Sequence, residues 1–95
     1  NITPCVLERS ERTTQQLVFV RDREEAHEHA GQDLIVTVLR GHGTLWLGER
    51  QVPMHEGDVA VVPAGLRHWF VNQGDEPAAA FVILAPTTPE SVPNP

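Results

Sequence analysis

No stretch of this chain sustains a helical apolar period over three turns, and that favours strands over a core built from helices. Eight prolines and seven glycines break the sequence at short intervals. The runs between them are rich in β-branched and aromatic residues, which pack well on a pleated surface. Strands are expected at residues 15–21, 34–39, 44–47, 52–54, 59–62, 67–72 and 78–85. Arg40-Gly41-His42-Gly43 suits a tight hairpin, and Gly48-Glu49 and Glu56-Gly57-Asp58 mark further turns. Pro53 cannot donate to a ladder, so its strand belongs at an edge or a bulge. Residues 24–28 (EEAHE) are too few to nucleate a helix and read as an extended approach. Many short strands at regular spacing point to a sandwich or barrel.

Length sets the scale. Ninety-five residues make one domain. The expected division is a barrel core over about 15–86, an N-terminal arm or edge strand over 1–14, and a loose tail over 87–95. A domain this small buries proportionally little surface, so self-association is a natural support, and a homodimer is expected. The net charge is −6, and all seven basic residues are arginine. Without a basic stripe, nucleic acid is not an expected partner. Without lysine there is no Schiff-base chemistry. The longest apolar run, residues 78–85, is too short to span a membrane. No charged start followed by an apolar stretch reads as a signal peptide. A lone cysteine, Cys5, excludes an intrachain disulfide and fits a reducing, cytoplasmic setting.

Five histidines are present. His42 and His55 sit beside turn glycines and read as solvated residues. His27 and His29 differ: in an extended chain, residues two apart share a face, so both imidazoles can converge on one point. His68 enters from another expected strand.

The segment running from Gly57 to Asn72 resembles the second conserved motif of the cupin superfamily, G-x5-P-x-G-x2-H-x3-N. Gly57, Pro63, Gly65, His68 and Asn72 occupy every fixed position. The first cupin motif, G-x5-H-x-H-x3,4-E-x6-G, is met in part. His27, His29 and Gly41 match, Arg21 stands at the leading glycine, and Leu34 stands at the glutamate counted back from Gly41. The resemblance implies an all-β, double-stranded β-helix (a jelly-roll barrel).

It also implies a metal site. His27, His29 and His68 would present three nitrogen ligands to a divalent transition ion (Fe, Mn, Ni, Zn or Cu) at about 2.0–2.2 Å. Asp33 would join them only if the strand start is irregular, because regular alternation places it opposite Leu34. With Leu34 inward, three neutral imidazoles hold the ion and leave its charge undiminished, which suits anionic or enolisable ligands. Parity places Leu34, Val36, Val38 and Phe70 in the pocket and Thr37, Trp69 and Val71 outside, where Trp69 needs cover. Phe19 and Phe81 are candidates for the apolar wall of the pocket, with core packing the favoured role of each. Arg40, on inward parity, and Arg67 are candidates to clamp an anionic substrate, or surface arginines paired with acidic neighbours. The functions in view are a metal-dependent enzyme of oxygenase or isomerase type on a small molecule, a non-catalytic ligand- or metal-binding module, and a packed scaffold.

Overall fold

A computed structural model describes residues 2–9 and 12–86. Its eight strands are β1 (Ile2–Arg9), β2 (Thr14–Val20), β3 (Gln32–Arg40), β4 (Gly43–Leu47), β5 (Arg50–Met54), β6 (Val59–Val62), β7 (His68–Asn72) and β8 (Ala78–Pro86). They form a five-stranded sheet in the order β1-β2-β8-β3-β6 and a three-stranded sheet in the order β5-β4-β7. Every pairing is antiparallel. The fold is all-β, a double-stranded β-helix. No helix among the described residues is long and apolar enough to cross a membrane.

The core lies between the sheets. Val18 and Val20 from β2, Leu34 and Val38 from β3, Leu45 from β4, Met54 from β5 and Val82 and Leu84 from β8 are buried together. Their period of two is the alternation of a pleated strand with one covered face. β4 and β5 form a true hairpin around Gly48-Glu49, where Gly48 has φ +62°, the positive value a II′ turn needs at its first central residue. Pro53 lies on β5, an edge strand, where a missing donor costs no ladder bond.

Two expectations need correction. Arg40 to Gly43 is not a hairpin. β3 and β4 belong to different sheets, so this segment carries the chain across the barrel. Buried Gly43 is there for closeness, since a Cβ at this position would run into Val71 O and the Phe70 ring. Phe19 and Phe81 are not core residues. Val18, Val20 and Val82 take the inward positions, leaving Phe19 on the outer face at 40% exposure and Phe81 half-buried opposite Leu17 and Thr37. Trp69 finds its cover within the chain, stacked on Trp46 of the neighbouring strand at 5.3 Å between ring centroids. The N-terminal segment forms an edge strand on β2, and all eight β1 residues remain exposed. The tail over residues 87–95 lies outside the described residues.

Candidate metal centre

The segment between β2 and β3 is extended but irregular, running along the open edge of β7. Backbone bonds pin it at intervals: Asn72 N donates to Asp22 O, Glu24 N to Phe70 O, and Gly65 N to His29 O. His27 N donates to His68 O at 3.0 Å, and His68 N donates to His27 O at 2.8 Å. His27, two residues before His29 on the same side, is thereby fixed directly against His68.

The three imidazoles converge. Ring centroids lie 4.3 Å apart for His27 and His68, 5.0 Å for His27 and His29, and 5.3 Å for His29 and His68. One nitrogen from each ring falls within 4.8 Å of the others, which is compatible with a single ion between them. The backbone also sets the tautomers. His27 Nδ1 lies 2.8 Å from Glu25 O and His68 Nδ1 lies 2.9 Å from Leu66 O. A carbonyl only accepts, so in the neutral rings both Nδ1 atoms carry the proton and both Nε2 atoms present a lone pair. His68 is 1% exposed, and its buried Nε2 has no hydrogen-bond partner among the described residues. A buried acceptor left unpaired is costly, and a metal ion is the partner its lone pair fits. Burial, with the neighbouring imidazoles, pushes the pKa of His29 and His68 below the usual histidine range, although the Leu66 carbonyl opposes this at His68. Both effects favour the neutral, ligating form.

Asp33 does not join the cluster. Its Oδ1 accepts from Ala64 N at 2.9 Å, while Leu34 beside it is buried inward. The strand start is regular enough that alternation holds. Among the described residues the potential ligand group is therefore His27, His29 and His68 alone.

The cluster opens into a cavity of about 660 Å³. Leu34, Val36, Val38 and Phe70 line it, as does Met54. Arg40 does not. β3 carries an extra residue at Leu39, since Val38 faces Ala80 while Arg40 faces Ala79, and this bulge turns Arg40 outward to solvent. Arg67 is likewise exposed and off the cavity wall. His42 and His55 stack on each other away from it, at 6.2 Å.

Among the wall residues that the sequence does not announce, Glu24 carries the most chemistry. Glu24 is half-buried in the cavity, where its Oε1 accepts from Phe70 N at 2.9 Å. Burial raises its pKa, against the opposing effects of His27 and of the Phe70 N–H. Alternation would put Glu24, three residues before His27, on the opposite face. However, Arg23 faces Val71 while His27 faces His68, so four steps on this segment match three on β7. The extra residue brings Glu24 round to the cavity side.

Residues 18–84 match the family model described as "Cupin domain". An uncharacterized protein of Aquifex aeolicus is 38% identical over 74 residues, covering 78% of this chain; the chain spans 60% of that relative's length. The crystal structure of TT1209 from Thermus thermophilus aligns with a TM-score of 0.83 at 27% identity, over 90% of this chain and 84% of that one. The cupin domain of Schizosaccharomyces pombe Cnp3 aligns with a TM-score of 0.86 at 17% identity, over 94% and 67% respectively, a likeness of fold.

Proposed function

The chain belongs to the cupin family, and on that premise we propose that it is a metal-dependent enzyme acting on a small molecule, of oxygenase or isomerase type. The observation that carries this reading is the orphaned Nε2 of buried His68, aimed at the same point as His27 and His29. When bound, a divalent Fe, Mn, Ni, Zn or Cu ion would supply Lewis acidity with open positions for a ligand. The chain's own residues do the rest. His27, His29 and His68 hold the ion as neutral donors, with Glu25 O and Leu66 O fixing two of the rings. Leu34, Val36, Val38 and Phe70 give the site an apolar surround, whose low dielectric strengthens each electrostatic contact inside once a ligand fills it. Glu24 can hold a proton near the ligand, since burial favours its neutral form. Zinc titration followed by calorimetry tests the site: one equivalent is expected in the parent and none in His68→Ala. Equal binding by both proteins would sink the proposal.

A second reading, a non-catalytic ligand- or metal-binding module, is favoured by the missing carboxylate. Asp33 is committed to Ala64 N and leaves three neutral donors without an anionic one. Conversion of any bound small molecule by the metal-loaded protein would decide for the enzyme. We also read the protein as a cytoplasmic homodimer. Phe19, Val59 and Val61 stand 40–60% exposed on the outer sheet face, and β1 offers a second edge to cover.

A further inference from the structure

The geometry points to a ligand with a single anionic oxygen head and an otherwise hydrocarbon body. The head rests on the metal-site reading above, whereas the body rests on the cavity wall alone. At about 660 Å³ the cavity is of the size that takes small organic ligands. Its wall is a continuous aliphatic and aromatic surface drawn from both sheets, with Val18, Val20, Val38, Ala80, Val82 and Phe70 around it. Among the described residues, its polar side chains beyond the three imidazoles are Gln16, Arg23, Glu24 and Glu25. Arg23 and Glu25 are exposed, and one Glu24 oxygen is already taken by Phe70 N. Among the described residues, no serine, threonine or asparagine lines it. A polyhydroxylated ligand would therefore bury hydroxyls with few partners, which is a strong ground for rejection. An alkyl or ring body meets matching walls and gains with every methylene removed from water.

Histidine donors define where the head goes. Three neutral imidazoles carry no charge to offset a dication, so an anionic oxygen is the ligand that best completes such a site. The body then extends over Val38, Ala80 and Phe70.

The test is a calorimetric series of acetate, butyrate, hexanoate and 6-hydroxyhexanoate, run on zinc-loaded protein and on protein stripped with EDTA. Affinity is expected to rise about fourfold per methylene from acetate to hexanoate in both forms. Zinc should tighten every member by a common factor, and the terminal hydroxyl should cost roughly fivefold or more against hexanoate. Ala80→Leu, or Val36→Phe should the first not fold, narrows the cavity and is expected to remove most of the hexanoate gain. A flat series in both forms, a hydroxyl without cost, or a gain that survives the narrowed cavity would overturn the inference. Zinc changing no member, with the chain-length gain intact, would instead overturn the metal reading and leave the apolar body standing.

Discussion

His27 and His68 exchange both of their backbone hydrogen bonds, at 3.0 and 2.8 Å, and hold their imidazoles 4.3 Å apart. Each residue is thus placed by main chain as well as by side chain. The local pairing survives loss of either ring, because the bonds belong to the peptide groups. His27→Ala should therefore keep its far-UV circular dichroism while losing metal affinity by well over the ~10- to 100-fold typical of residues that merely orient a ligand. A collapse of the fold in His27→Ala would show that the imidazole itself supports the segment.

Asp33 supplies the contrasting case. Its carboxylate receives Ala64 N–H and stands apart from the imidazoles. In Asp33→Ala, metal affinity should stay within about threefold of the parent, far short of the loss expected for a ligand. Stability should fall by about 1 kcal/mol for the lost hydrogen bond. A large loss of metal, measured by competition with a chromophoric chelator, would return Asp33 to the ligand set.

Gly43 allows a second, independent check on the packing that shapes the cavity. A methyl group here would overlap Val71 O and the Phe70 ring. Gly43→Ala should destabilise the protein by about 1–3 kcal/mol, read from urea unfolding at neutral pH. An unchanged midpoint would mean that β4 and β7 leave room for a methyl group at this position.

The lowered histidine pKa values give a pH dependence of definite sign. In the unfolded chain His29 and His68 take up protons near the ordinary value of 6.5, whereas in the folded metal-free protein both resist. Below that value the unfolded state binds more protons, so stability is fully present above it and is lost as pH falls toward the depressed folded values. The urea midpoint of metal-free protein should drop between pH 7.5 and 5.5, with a shallower drop in His29→Gln. A midpoint that rises over this interval would contradict the assignment.

Much of this site was legible because its signal is local. His27 and His29 need only two residues of extended chain to share a face, and they do so although their segment forms no regular strand. Leu34, Val36 and Val38 follow the same count along β3. Arg40 does not, because the bulge at Leu39 reverses parity, and nothing in Val38-Leu39-Arg40 announces an extra residue. Glu24 was hidden for the same reason, by the mismatch between Arg23–Val71 and His27–His68. The crossing from β3 to β4 resembles a hairpin in its glycines. Whether such a turn folds back or crosses depends on which distant strand receives β4, and that choice is made by β7. The outward parity of Trp69 is equally local, whereas its cover, Trp46, comes from the neighbouring strand and depends on the pairing of β4 with β7.

Whether His27, His29 and His68 together hold one ion is the central question. X-ray absorption at the metal edge, on protein loaded with one equivalent of zinc, reads that first shell directly. The expected result is three imidazole nitrogens at about 2.0–2.1 Å, with oxygen from solvent completing the shell and no sulfur. A shell with one imidazole or none would contradict it.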